Sequence, residues 1–91
     1  MFKTLEELIA VIRQRKESST NESYTNKLLN NKKLSVEKVK EEIAELIDAI
    51  EKNTNKVHET ADVLYHLMVL LEANDIKIED VMDELKKRQK K

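Results

Sequence analysis

Apolar residues recur along the first part of the chain at intervals of three and four, the spacing of one face of an α-helix. The pattern predicts a first helix at about residues 4–16, where Thr4 and Glu7 form a capping box. Residues 17–22 are polar and rich in turn formers, which is typical of a loop. The chain is therefore expected to begin with one amphipathic helix and a turn.

Two helices follow this turn. Ser23 can cap a short second helix that ends at residues 30–31, and Ser35 can cap a long third one. A polar break at residues 53–55 ends the third helix. The apolar stripe of this helix consists of Val36, Val39, Ile43, Leu46, Ile47 and Ile50.

Two more helices complete the predicted fold. A fourth helix at about residues 56–73 is apolar on nearly every side, which is typical of a helix buried all round, and the turn formers Asn74 and Asp75 end it. The apolar residues of a fifth helix are Ile78, Val81, Met82 and Leu85. We expect an all-α fold, a bundle of about five helices in a single domain over residues 1–91.

The composition excludes several kinds of site. The 91 residues contain no glycine, proline or cysteine, which excludes disulfides, zinc–thiolate sites and glycine-rich phosphate loops. Seventeen basic and eighteen acidic residues leave a net charge of −1, which gives no general attraction to nucleic acid or to an anionic membrane. The longest apolar run, residues 63–71, is too short for a membrane span of about 20 residues. We expect a cytoplasmic protein.

The acidic residues concentrate on the third and fourth helices. Glu42 with Glu45, and Glu59 with Asp62, are spaced so that each pair lies on one helix face. A short connection makes the two helices antiparallel neighbours, so the four carboxylates can converge. No basic residue within residues 57–76 neutralises them. We expect a divalent cation there, Mg²⁺ or Mn²⁺, because both prefer oxygen ligands. The alternative that the residues leave open is a solvated acidic helix face.

Five strings of the sequence carry a family resemblance. Residues 41–45 match the pattern Glu-Glu-x-x-Glu, and residues 59–62 match Glu-x-x-Asp. Further strings are Ser-Tyr-Thr-Asn-Lys-Leu-Leu at residues 23–29, Ala-Asp-Val-Leu-Tyr-His-Leu at residues 61–67 and Ile-Glu-Asp-Val at residues 78–81. Together they resemble the phosphoribosyl-ATP pyrophosphohydrolases of histidine biosynthesis, within the MazG-like all-α nucleotide pyrophosphohydrolase superfamily.

The resemblance implies an activity and a set of site residues. The activity is Mg²⁺-dependent hydrolysis of the α–β phosphoanhydride of phosphoribosyl-ATP, giving phosphoribosyl-AMP and pyrophosphate in the second step of histidine biosynthesis. The residues implied to carry catalysis and to hold the metal are Glu42, Glu45, Glu59 and Asp62, with Glu41 as a further or outer ligand. The residues implied to bind the substrate are Lys27, Tyr24 and Arg15.

Two residues depart from the family pattern, and two others have a structural interpretation. Lys40 stands where family members often have glycine before the paired glutamates, and Lys77 stands where a serine or threonine cap often precedes the last helix. His66 is expected as a hydrogen-bonded core histidine. Tyr24 also fits a core or capping aromatic.

Two alternatives to the implied function stay open. One is a related enzyme that removes non-standard or excess nucleoside triphosphates with the same acidic site. The other is a non-enzymatic helical interaction domain whose acids are merely exposed. We also expect a homo-oligomer, most simply a dimer, because five short helices cannot cover the fourth one fully. Neither nucleic acid nor membrane is expected as a partner.

Overall fold

The computed structural model describes residues 1–17 and 23–89. Within these residues the chain forms α-helices and no β-strand, which confirms the predicted all-α fold. The helices are α1 (Lys3–Glu17), α2 (Tyr24–Leu29), α3 (Lys32–Lys52), α4 (Lys56–Ala73) and α5 (Ile78–Gln89). The predicted loop after α1 falls almost entirely on residues 18–22, outside the described residues.

The turn between α3 and α4 is formed by two asparagines in left-handed backbone conformation. Asn53 has φ 56° at the end of α3, and Asn55 has φ 45° immediately before α4. Asparagine tolerates this region because its short polar side chain can hydrogen-bond locally. The chain reverses within three residues, so α3 and α4 form the most extensive helix pair of the described chain. The break predicted at residues 53–55 is confirmed.

The predicted start of α3 was wrong. The helix begins at Lys32, and Asn31 caps it by accepting a hydrogen bond from the backbone N–H of Leu34 at 3.0 Å. Ser35 lies inside the helix, where its buried hydroxyl donates to the carbonyl oxygen of Leu28 in α2 at 2.6 Å. Asparagine caps a helix as well as serine does, and the lysines that follow it favour helix. Asn31 therefore caps α3, and Ser35 instead connects α3 to α2 through its hydrogen bond.

The apolar core lies where α1 and α2 pack against the second half of α4. Leu28 and Val69 are fully enclosed, each with 0% of its surface exposed. The buried members of the core are Ile9, Ile12, Leu28, Leu29, Met68, Val69 and Ala73. This core fixes the position of α2 and leaves the first half of α4 to pack against α3, where the acidic residues lie.

A single copy of the chain does not bury α4 on all sides, as expected for a helix with more apolar surface than five short helices can cover. Val57 is 86% exposed and Leu64 is 40% exposed. On α3, four residues of the predicted apolar stripe are exposed as well: Val36 near the start of the helix, and Ile43, Ile47 and Ile50 further along it. We call Ile43, Ile47, Ile50, Val57 and Leu64 the apolar face of α3 and α4. One copy of the chain therefore covers α4 where α1, α2 and α3 contact it, and leaves the side with Val57 and Leu64 exposed.

Ion pairs and the packing of the partly buried Ile78 against the core hold α5 to the rest of the chain, although α5 has no fully buried residue. Arg13 of α1 donates to both carboxylate oxygens of Glu79 at 2.6 and 2.9 Å, and to Glu72 of α4 at 3.0 Å. The hydrogen bonds from Arg13 lower the pKa of Glu79 to about 2. Lys16 pairs with Asp75 at 2.6 Å in the turn before α5. No helix among the described residues is long and apolar enough to cross a membrane.

Candidate functional site

Three carboxylates from α3 and α4 converge on one point. Glu42 and Glu45 lie one turn apart on α3, and Glu59 lies in the first turn of α4. Each offers one oxygen, and these three oxygens lie within 4.8 Å of one another. The spacing of the two α3 residues and the tight turn before α4 together account for the arrangement. The structure thus places three of the predicted ligands in one cluster.

The cluster contains two buried carboxylate oxygens that have no partner among the described residues. The Oε2 atoms of Glu42 and Glu59 are buried, and neither has a hydrogen-bond partner within residues 1–17 and 23–89. Burial raises the pKa of Glu42, as do a hydrogen bond and repulsion from Glu45. A buried carboxylate oxygen left unpaired is costly in free energy. The oxygens therefore fit a divalent cation such as Mg²⁺ or Mn²⁺, which binds carboxylates directly.

Asp62 joins the site through a second, overlapping group. Its Oδ2 atom lies 3.4 Å from Nε2 of His58, one turn earlier on α4. His58, Glu59 and Asp62 offer ligand atoms within 4.8 Å of one another. Glu59 belongs to both groups, so the four predicted ligands form two overlapping sets rather than one. The sequence reasoning did not single out His58, although its spacing of four from Asp62 was the available signal.

Glu41 lies outside both groups. Its exposed carboxylate is 3.5 Å from Nζ of Lys38, one turn earlier on α3. Lys40 is exposed within the same turn of helix. Beside the cluster, a groove of about 380 Å³ opens between the end of α3 and the start of α4. The residues that line it are Ala44, Glu45, Asp48, Ala49, Thr54, Asn55 and Glu59.

Helix α2 contacts α4 through two side-chain hydrogen bonds. The hydroxyl of Tyr24 lies 3.1 Å from Nε2 of His66, and the hydroxyls of Thr25 and Tyr65 lie 2.5 Å apart. His66 is buried, and its Nδ1 lies 2.9 Å from the backbone oxygen of Asp62. The prediction that His66 is a hydrogen-bonded core histidine is confirmed. The contact also brings the start of α2 to the turn of α4 that carries Asp62.

The three predicted substrate-binding residues have different surroundings. Tyr24 is 47% exposed, and partial burial raises the pKa of its phenol. Lys27 is exposed, and its ammonium group has no ion pair or hydrogen bond with another described residue. The side chain of Arg15 is exposed at the end of α1. Of the three, Tyr24 is the one that the structure connects to the helix bearing Glu59 and Asp62.

Asn26 is a buried polar residue that the sequence reasoning missed. Its side chain is 2% exposed, donates to the backbone oxygen of Arg15 at 2.7 Å and accepts from the hydroxyl of Ser23 at 2.5 Å. Its backbone N–H donates to the same hydroxyl at 3.0 Å, which confirms Ser23 as the cap of α2. A polar residue three positions after a serine cap was the available signal. Asn26 therefore joins α2 to the end of α1.

Comparison with known proteins supplies the family. Residues 5–89 match the family model of the phosphoribosyl-ATP pyrophosphohydrolases. The chain is 45% identical over 91 residues to the phosphoribosyl-ATP pyrophosphatase of Clostridium novyi, which covers 96% of this chain and 82% of that protein. Identity to the phosphoribosyl-ATP pyrophosphatase of Allorhizobium ampelinum is 42% over 88 residues, covering 93% and 85%. Over 87 residues the chain is 44% identical to the histidine biosynthesis bifunctional protein HisIE of Pyrococcus furiosus, which covers 94% of this chain and 41% of that protein. The chain belongs to the phosphoribosyl-ATP pyrophosphohydrolase family.

Proposed function

We propose that this chain hydrolyses the α–β phosphoanhydride of phosphoribosyl-ATP, releasing phosphoribosyl-AMP and pyrophosphate as a step of histidine biosynthesis. Family membership and the names of the relatives support this reaction. The observation that carries the proposal is the convergence of Glu42, Glu45 and Glu59 with two buried oxygens that lack partners among the described residues. A helix face that serves only solubility does not bury unpaired carboxylates.

The carboxylates explain how an acidic site can accept a polyphosphate. Glu42, Glu45 and Glu59 would hold a divalent cation, Mg²⁺ or Mn²⁺, with Asp62 beside them and Glu41 as a further or outer ligand. When bound, such a cation supplies neutralisation of the phosphate charge and a more acidic attacking water. The carboxylates alone repel a substrate of the same charge sign. The glutamates therefore act by placing positive charge at a fixed point between α3 and α4.

The basic and aromatic residues of α2 and α1 would bind the substrate itself. Lys27 lies three residues after Tyr24, so both project from one side of α2. An exposed ammonium without a described partner is well suited to a phosphate group, which it binds as a mobile point charge. Arg15 would add a second cation from the end of α1. Because a multiply charged nucleotide does not cross a bilayer unaided, we expect the reaction in the cytoplasm.

The substrate assignment predicts selective pyrophosphate release. The purified chain should release pyrophosphate from phosphoribosyl-ATP with Mg²⁺, and release should stop with a chelator. A panel of ordinary and non-standard nucleoside triphosphates, assayed at equal concentration, tests the alternative substrates. Comparable release from the panel would favour an enzyme that removes surplus triphosphates. An absence of release from every nucleotide would favour a helical interaction domain.

We also propose that the chain acts as a homodimer, the apolar face of α3 and α4 forming the contact. Ile43, Ile47 and Ile50 follow one another at helical spacing, so they lie on one side of α3. Val57 and Leu64 lie on one side of α4 and line a shared recess with Ala61. Exposed apolar surface of this kind marks protein–protein contacts, and a second copy offers an identical surface.

A charge introduced into this face should separate the subunits. Wild type is expected to sediment as a dimer at micromolar concentration, and Ile47→Glu as a monomer, because a carboxylate is costly to bury in an apolar interface. Val11→Glu is the matched control, since Val11 is an exposed aliphatic residue on α1, away from the apolar face. A monomeric wild type, or dissociation of both variants alike, would contradict this contact.

A further inference from the structure

The hydrogen bonds of His66 have a fixed direction. Its Nδ1 faces the backbone oxygen of Asp62 at 2.9 Å, and a carbonyl oxygen can only accept a hydrogen bond. Nδ1 therefore carries the hydrogen, and Nε2 of the neutral ring is an acceptor. The hydroxyl of Tyr24, 3.1 Å from Nε2, must then be the donor. The ring of His66 is thus a rigid link between the turn of α4 at Asp62 and the first residue of α2.

Helix α2 depends on such links for its orientation. It has six residues, Tyr24–Leu29, and a helix of that length is not stable alone in water. Asn26 joins it to the backbone of α1, and Ser35 joins it to α3. Besides the apolar packing of Leu28 and Leu29, α2 contacts α4 through the ring cluster of Tyr24, Tyr65 and His66, which stack or meet edge to face with centroids 5.0–6.4 Å apart.

Tyr24 lies at the border between this ring cluster and the acidic site. The residue is 47% exposed, so it is not simply a core residue. Glu41 and Glu42 are near enough to affect its phenol electrostatically, and so is Lys38. The hydroxyl of Tyr24 is therefore held by His66, and its phenol lies near enough to the glutamates of α3 to feel their charge.

We propose that His66 is a positioning residue, whose acceptor nitrogen holds Tyr24 and thereby sets the distance between the substrate-binding side of α2 and the carboxylates of α3 and α4. The inference rests on the proposed function, because it concerns the same site. His66 does not touch the substrate in this arrangement. It acts through Tyr24, and through the orientation of α2 it also affects Lys27.

Three variants separate positioning from simple stabilisation. His66→Asn keeps a donor for the oxygen of Asp62 but is too short to accept from Tyr24, and His66→Gln restores an acceptor near the position of Nε2. Tyr24→Phe removes only the hydroxyl. Tyr65→Phe is the matched control, because it removes a hydroxyl from the same α2–α4 contact through its bond to Thr25. Melting temperatures establish that each variant is folded.

The readout is the steady-state kinetics of pyrophosphate release from phosphoribosyl-ATP. His66→Asn and Tyr24→Phe should each raise KM about 3- to 10-fold, the effect of one lost hydrogen bond, with a smaller change in kcat. The KM of the double variant should rise no more than that of the more affected single variant, because both changes break the same link. His66→Gln should recover most of the affinity, and Tyr65→Phe should keep the wild-type KM.

Opposite results overturn the inference. If the fold-increases in KM of the two single variants multiply in the double variant, Tyr24 and His66 act independently. A KM that rises as much in Tyr65→Phe, or melting temperatures that fall while KM is unchanged, would mean that the cluster is only structural. An inactive wild type overturns the proposed function together with this inference, whereas an active wild type with multiplying losses overturns the inference alone.

Discussion

Replacing Glu59 with glutamine should abolish pyrophosphate release and the rise in melting temperature that Mg²⁺ causes. Glu59 belongs to both groups of converging ligand atoms, so this variant removes an oxygen ligand from each. Losing an outer partner of a metal ligand costs roughly 10- to 100-fold in affinity or activity, and losing a direct ligand should cost more. Asp62→Asn should have the same kind of effect, although Asp62 belongs to one group only.

Thermal melting with a chelator and with excess Mg²⁺ checks this prediction without depending on activity. A cation that binds only the folded state at about 100 times its Kd adds about 2.7 kcal/mol to the free energy of unfolding. For a chain of this size, that corresponds to a rise on the order of 10–20 °C. Wild type should show the rise, while Glu59→Gln and Asp62→Asn should not.

The chelated proteins should give the opposite order of stability. Removing one charge from the cluster relieves repulsion among the carboxylates, so Glu59→Gln should melt at the wild-type temperature or above it. A carboxylate with a structural partner behaves differently, because its loss lowers stability. Glu51→Gln is the control, since Glu51 is an exposed acid on α3 outside both groups. If wild type and the two site variants melt alike under both conditions, the shared metal site is wrong.

The helices could be predicted from the sequence because their signals are local. The prediction for α4, residues 56–73, agrees with the observed Lys56–Ala73, since turn-forming asparagines flank an uninterrupted apolar pattern. The start of α3 was wrong because two capping residues compete there. Propensity alone does not show that Ser35 has a partner in α2, which the fold supplies through the carbonyl of Leu28. Where two residues could cap the same helix, tertiary contacts determine which of them does.

The site could be predicted in part for the same reason. Spacing within a helix reveals the pairs of acids, and a short turn between two helices brings the pairs together. The way in which the ligands group in space does not follow from local spacing. It takes the structure to show that Glu59 is shared between two groups and that Asp62 lies beside His58. The link between Tyr24 and His66 joins residues 42 positions apart, so no spacing rule could indicate it.

Removing the charge of Lys27 should weaken substrate binding with little effect on the fold. Lys27 is exposed on α2, and its ammonium contacts no other described residue, so Lys27→Ala takes away no described contact of the folded chain. A hydrogen bond to a charged group contributes about 1.5–3 kcal/mol, and each 1.4 kcal/mol is tenfold in affinity. KM for phosphoribosyl-ATP should therefore rise roughly 10- to 100-fold, with the melting temperature nearly unchanged.

Two companion variants decide whether Lys27 acts through its charge and position. Lys27→Arg keeps the positive charge and should retain part of the affinity, although its planar guanidinium differs in reach and geometry from an ammonium. Lys33→Ala removes an equally exposed lysine from the start of α3 and should leave KM unchanged. A rise in KM of the same size in Lys33→Ala would indicate general attraction of the polyphosphate by surface charge. Lys27→Ala could instead melt several degrees lower with unchanged kinetics, and Lys27 would then be a structural residue of α2. The two outcomes are distinguishable because KM reports substrate contact and the melting temperature reports stability of the fold.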